Sequence, residues 1–120
     1  MQDFQSLEIW KKSHSLVLSI YKITENDFPK NELFALTSQI RRSAASIPTN
    51  IAEGCGRNSN ADIAHFIQIG IGSLCETEYH IILAHDLGYI SNETFIDVSN
   101  RINELRMKMI KYNERVRSDK

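Results

Sequence analysis

Only two prolines and five glycines occur in the 120 residues, too few for an all-β chain, which needs turn residues at short intervals. Cysteine is equally scarce. Cys55 and Cys75 stand far apart and neither belongs to a CxxC pair, so nothing points to a disulfide framework, a zinc ribbon or a redox motif. Uninterrupted apolar runs stop at three or four residues, as in Ile81, Ile82, Leu83 and Ala84, far short of a membrane span. The opening MQDFQSLEIW has no cationic head followed by an apolar core, so no signal peptide is expected. The expectation is a cytoplasmic protein without membrane contact, its reduced thiols acting as small buried hydrophobes. An excess of one charge is missing too. Lys and Arg number 14 against 15 Asp and Glu, a formal net charge of −1, unlike the uniformly basic surface of a dedicated duplex-DNA binder.

Locally the balance breaks. Residues 61–90 contain Asp62, Glu76, Glu78 and Asp86 and no Lys or Arg, whereas residues 91–120 contain seven basic residues against five acids. Two neighbouring helices of opposite sign, attracting weakly or facing water, account for this plainly. The sharper reading is a basic C-terminal edge that touches phosphate.

What is present is helical periodicity. Steps of three and four link Leu7, Trp10, His14, Val17, Leu18 and Tyr21, with Leu16 and Ile20 beside them; then Leu33, Leu36, Ile40, Ala44, Ile47 and Ile51. The same steps link Ile63, Phe66, Ile67, Gly70 and Leu74, continuing less regularly to Ile81 and Leu83, and then Phe95, Val98, Ile102, Leu105, Met109, Tyr112 and Val116. Each set describes one apolar helix face. The breaks fall at NDFPKNE, GCGRNSN and LGYIS, with Gly54 or Gly56 and then Gly88 as left-handed caps, and Asn60 and Ser91 or Asn92 as helix openers. Phe28 is expected to fold back as a lid on the bundle end. The spacing predicts a single all-α domain over residues 1–120, with helices over about 6–26, 32–55, 60–86 and 92–116. Such a chain forms an antiparallel, up-down-up-down four-helix bundle. Pro48 lies inside the second helix, where it removes a backbone hydrogen bond. A kink there is expected rather than a break, because the apolar period stays in phase across it. Gly70 and Gly72 sit mid-helix, a cost usually offset by a neighbour's close backbone approach.

Chemistry is hard to find. A di-iron carboxylate bundle needs two Glu-x-x-His units, and the nearest match is a single Asp62 with His65. Glu76 and His80, four apart, offer two ligands where zinc needs at least three; a surface hydrogen bond explains them better. Cys75 has no evident His partner, the serines fall in capping or helix-packing contexts, and GIGS at 70–73 lies mid-helix, where no phosphate cradle forms. Catalytic residues, metal and cofactor are all expected to be absent.

One stretch is not explained by a plain bundle helix: QIRRSAASIPTNIAEGCGR, residues 39–57. It joins Arg41 and Arg42 to small residues including Ser46, then Pro48, Asn50, Glu53 and Gly54. Small residues admit close helix packing, and the carbonyl freed by Pro48 invites a Ser, Asn or Arg donor. Arg41 or Arg42 is placed to pair with Glu53 or Glu76 in a packing or interface motif. The other reading is contact with a ligand or RNA phosphate.

The segments LEIWKKSHSLVLSIYKIT, FPKNELFALTSQIRRSAASIPTNIAEGCGR and FIQIGIGSLCETEYHIILAHDLGYI resemble the four-helix-bundle proteins of the 23S ribosomal-RNA intervening-sequence family, over roughly residues 4 to 112. The resemblance implies ring-shaped homopentamers and carries no catalytic residues. A related branch of that family serves retroelements, binding a reverse transcriptase and nucleic acid. Two functions follow. One is a non-enzymatic oligomeric adaptor for RNA or a ribonucleoprotein, with Arg57, Arg106, Lys108 and Arg115 as nucleic-acid contacts beside Arg41 and Arg42. The other is a protein-interaction scaffold without nucleic-acid binding.

Overall fold

The computed structural model describes residues 2–119, and among them all regular structure is helical. Four long helices carry the fold: α1 (Glu8–Asn26), α2 (Leu36–Cys55), α3 (Asn60–Asp86) and α4 (Asn92–Ser118). Single 3-10 turns, Phe4–Ser6 and Lys30–Glu32, precede α1 and α2. Contacts between α2 and α3 pair Ser43 with Thr77 and Ser46 with Ser73. Those between α3 and α4 pair Glu78 with Arg106 and His85 with Asn92. Lys108 meets Glu8, Glu104 meets Lys12 and Arg101 meets Ser19, closing α4 against α1. In every set the numbers rise along one helix as they fall along its neighbour. Neighbouring helices therefore run in opposite directions around one elongated core, 48 × 24 × 20 Å overall. The all-α four-helix fold expected from the apolar periods is what forms.

The chain's own hydrogen-bonding groups set the helix limits. Ser59 Oγ accepts the Asp62 amide at 3.1 Å and Ser91 Oγ accepts that of Thr94 at 3.1 Å, satisfying donors that a helix start leaves open. Asn60 is thus the first residue of α3 and not its cap. At the end of α3, Gly88 takes φ +79 and lets the Tyr89 amide reach the Ala84 carbonyl at 2.9 Å. It is the one positive-φ residue among those described, so Gly54 and Gly56 are not left-handed caps. Gly54 lies within α2 and is needed for closeness. A Cβ there would stand 3.3 Å from both the Ile63 carbonyl oxygen and Phe66 Cβ. The second helix begins at Leu36 and not near residue 32, because Lys30–Glu32 closes a separate turn. The Glu32 carboxylate then accepts the Leu36 amide at 3.3 Å. α2 is continuous through Pro48.

The interior is filled by Ile20, Ile40, Ile47, Ile51, Ile67, Leu74, Ile81, Val98, Ile102, Leu105 and Met109, all under 2% exposed. Burial of such side chains is the main stabilising term. Phe28 folds over one bundle end, its ring 5.6 Å from Tyr89. On α2 the buried apolar residues follow the expected stripe from Leu36 to Ile51, and Leu33 is exposed. On α4 they follow it from Val98 to Met109, beyond which Asn113 is buried and the expected Tyr112 and Val116 only partly so. On α1 the expected stripe is not followed. Ile9, Ser13, Leu16, Val17, Ile20 and Thr24 face inward, while Leu18 and Tyr21 face outward. The apolar count passed over Ser13 and Thr24. Their hydroxyls donate to the carbonyls of Trp10 (2.9 Å) and Ile20 (2.8 Å) on their own helix, which removes the penalty for burying them.

Candidate functional site

The segment 39–57 forms most of α2, and its residues divide between α1 and α3. Arg41 turns toward α1: its Nε donates to Thr24 Oγ1 at 2.9 Å and its guanidinium lies 4.7 Å from the Tyr21 ring centre. Arg42 is exposed. Neither arginine pairs with Glu53 or Glu76, contrary to the sequence-based expectation. Glu53 lies twelve residues further along the helix, about 18 Å at 1.5 Å per residue, and pairs instead with Arg57 at 3.4 Å. Arg57 also covers the Phe66 ring at 4.5 Å. Asn50 Nδ2 donates to the Ser46 carbonyl at 2.8 Å and to Ser46 Oγ at 2.9 Å, and Thr49 Oγ1 donates to the Ala45 carbonyl at 2.8 Å. These bonds go to the carbonyls just after that of Ala44, the one freed by Pro48.

Ser46 opens a polar ladder between α2 and α3 that periodicity did not reveal. Ser73 Oγ donates to Ser46 Oγ at 2.9 Å, Thr77 Oγ1 donates to the Ser73 carbonyl at 2.9 Å, and Ser43 and Thr77 hydroxyls lie 2.8 Å apart. Ser43 Oγ is 3.4 Å from His80 Nδ1, and His80 Nε2 is 3.8 Å from the Glu76 carboxylate. His80 is therefore a buried ladder member and not half of a surface pair. Loss of hydration pushes its pKa down, and the Glu76 charge opposes that only in part. The signal available in the sequence was the recurrence of hydroxyl and imidazole groups at 73, 77 and 80, on the helix side next to small residues of α2.

Serine, histidine and glutamate follow one another here as in a hydrolase triad, so their access matters. Ser43 is 4% exposed and lines none of the five grooves found at the described surface, including the two along α1. A carbonyl carbon must come within about 3–3.5 Å of a nucleophile to react, and Ser43 is buried between α2 and α3, bonded to Thr77. Among the described residues no three His, Cys, Asp or Glu side chains converge as metal ligands. Cys55 is buried, which raises its thiol pKa and leaves little of the reactive thiolate. No helix of the described chain is long and apolar enough to cross a membrane.

A groove of about 640 Å³ runs between α1 and α2, lined by Phe4, Trp10, His14, Pro48, Glu53 and Arg57 among others. The Trp10 and His14 rings stack at 5.0 Å and Phe4 meets Trp10 edge-on at 5.2 Å. Gly70, expected to admit a close neighbour, does so: a Cβ there would meet Met109 Cε at 3.1 Å and the Ile47 carbonyl at 3.6 Å. Gly72 faces open space, so close approach does not explain it.

The sequence-predicted cations do not form one patch. Arg106 binds Glu78 and Asn103 between α3 and α4. Arg57 lies at the far end of α2, engaged as described. Lys108 and Arg115 do come together, with Lys111, along a smaller groove of about 340 Å³ between α4 and the start of α1. Lys108 is tied there to Glu8 at 3.3 Å, and the Arg115 guanidinium lies 5.9 Å from the Tyr112 ring centre.

The family model described as "23S rRNA-intervening sequence protein" matches residues 5–111. Among solved structures, the chain is similar to a Bacteroides thetaiotaomicron VPI-5482 protein of unknown function from the S23 ribosomal protein family. The identity is 26% and the TM-score 0.82, covering 88% of this chain and 95% of the other. No curated protein matches.

Proposed function

The chain belongs to the family of 23S rRNA-intervening sequence proteins, and on that footing we propose that it is a non-enzymatic scaffold that assembles with copies of itself and then holds a protein partner. The observation that carries this reading is the outward side of α3 and α4. Tyr79 and Ile82 on α3, and Ile96, Met107 and Ile110 on α4, stand exposed there, Met107 to 66%. Steps of seven, four and three from residue 96 through Asn103 to 110 keep the α4 residues on one helix face, and the Glu78–Arg106 pair sets α3 beside it. Apolar surface gathered on one side of a soluble bundle marks a protein contact. The buried Ser43 supports the non-enzymatic part, and the occupied Arg41, Arg57 and Arg106 favour protein over nucleic acid. Five copies in a ring is the assembly that the family resemblance suggests, each subunit giving one face to the next.

The mass in solution tests this. Light scattering behind size exclusion is expected to give a multiple of the 13.8 kDa subunit, five-fold in the ring case. Met107→Glu with Ile110→Glu is expected to return it to one subunit with helical circular dichroism intact. A wild-type chain that stays monomeric at high concentration ends the reading. A second reading, an adaptor for RNA or for a reverse transcriptase, is favoured by one observation, the cations gathered along α4.

A further inference from the structure

Resting on the scaffold reading, we infer which surfaces meet: the outward side of α3 on one copy seats on the α1–α2 groove of the next. The starting observation is that α1 is apolar on two sides. Ile9, Leu16 and Ile20 face the core, yet Trp10, His14, Leu18 and Tyr21, at steps of four, four and three, form a second line along the groove and the outside. Leu18 is 59% exposed. A helix that packs on one side needs a single stripe, so the second is unspent within the subunit. Beside it α2 presents Ala45, Thr49, Ala52 and Gly56, at steps of four, three and four. No charged residue stands between Arg42 and Glu53, and side chains this small let another helix come close.

The complementary surface lies across the bundle. Helix α1 packs on α2 and α4, and α3 packs on the same two, which sets the α1–α2 side opposite the α3–α4 side. Ile69, Gly72, Cys75, Tyr79 and Ile82 follow one another along the outside of α3 at steps of three and four. A Cβ on Gly72 would meet nothing within 4 Å, so packing inside the subunit does not call for glycine there; as a notch in an apolar stripe it gives a second helix room. Charge decides which surface enters the groove. Lys11, Lys22 and Arg42 rim the α1–α2 side, exposed and in no ion pair among the described residues. The acids on that side are Glu53, held by Arg57, and Glu25. Along α3, Asp62, Glu76 and Asp86 are exposed and pair with no Lys or Arg among the described residues. Like surfaces together would set cation on cation or acid on acid, whereas unlike surfaces match in sign. A contact between unlike surfaces is heterologous and repeats from copy to copy until it closes.

Two variants, each crippled on one surface, test the pairing. Tyr79→Glu with Ile82→Glu disables the α3 side, and Leu18→Glu with Tyr21→Glu the α1–α2 side; all four side chains are exposed, and circular dichroism checks each fold. Light scattering is expected to find each variant alone as one subunit. Mixed in equal amounts, they are expected to form a complex of two subunits, twice 13.8 kDa, and nothing larger, because one intact pair of unlike surfaces remains. A variant that still pairs with itself, or a mixture that stays at one subunit while the wild type assembles, overturns the pairing and leaves the scaffold reading standing. A wild type that never assembles overturns both. Lys11→Glu with Lys22→Glu, which removes no apolar side chain, is expected to raise the concentration for half-assembly about fivefold, the scale of two exposed ion pairs. Adding Asp62→Lys and Glu76→Lys to the same chain is expected to restore assembly, and no recovery would overturn the match of charges.

Discussion

His80 shows how one residue can be misread when only its neighbours along the helix are considered. Four residues from Glu76, it looks like half of a surface pair; in the fold it is 8% exposed and faces Ser43 on α2. A histidine with a pKa lowered by burial is favoured neutral in the folded chain and protonates more readily when unfolded. Stability is therefore fully present above the unfolded value of about 6.5 and declines as pH falls through it. Thermal unfolding followed from pH 8 to pH 5 is expected to show this decline, and His80→Gln is expected to flatten it near pH 6. A wild-type midpoint that does not move between about pH 7 and pH 5.5 would show that the imidazole is not held neutral. The arginines carry the same lesson. Arg41 and Arg42 are adjacent in sequence, yet one is spent on Thr24 and Tyr21 and the other is exposed, because successive helix positions point about 100° apart.

At the scale of the helices, the sequence was legible where apolar residues carry the inward face. That holds for α2 after Leu36 and for α4 from Val98 to Met109, although α2 also buries Thr37 and Ser43, and α4 Asn113. It fails on α1, where buried Ser13 and Thr24 are chemically polar but satisfied by their own helix. Pattern reading has no means of telling a satisfied hydroxyl from a solvated one. The ladder of Ser43, Ser46, Ser73, Thr77 and His80 was hidden for the same reason. Glycines were legible only in part: Gly54 and Gly70 are small for packing, Gly72 is not, and the three look alike in sequence. Substitution separates them. Gly54→Ala is expected to cost about 1–3 kcal/mol, since a Cβ would press on the backbone of α3. Gly72→Ala, in open space on a helix, is expected to stabilise by about 1 kcal/mol. Denaturant midpoints at constant slope measure both, and equal effects would refute the distinction.

For the molecule as a whole, chain direction and closure followed from the short connections, while the surfaces did not. Which cations stay free depends on which acids the fold brings near them. Glu8 and Glu104 lie remote in sequence from the cations they meet, Lys108 and Lys12. The candidate sites were therefore readable as residue types and not as places: Lys108 and Arg115 share a groove, and Arg57 and Arg106 stand apart from it.

The closure of α4 on α1 has a consequence for motion. These two helices touch each other least of the four neighbouring pairs, and several links across the seam are ionic or polar: Lys12 with Glu104, Lys108 with Glu8, Arg101 with Ser15 and Ser19. Half-exposed ion pairs weaken as salt shortens the Debye length, from about 10 Å at 0.1 M to about 3 Å at 1 M. The bundle should thus breathe along this line first. Amide hydrogen exchange is expected to be faster in α1 than in the middle of α3, and to quicken in α1 with added sodium chloride while the α2–α3 core keeps its protection. Uniform exchange across the four helices, indifferent to salt, would mean that the bundle opens as one piece.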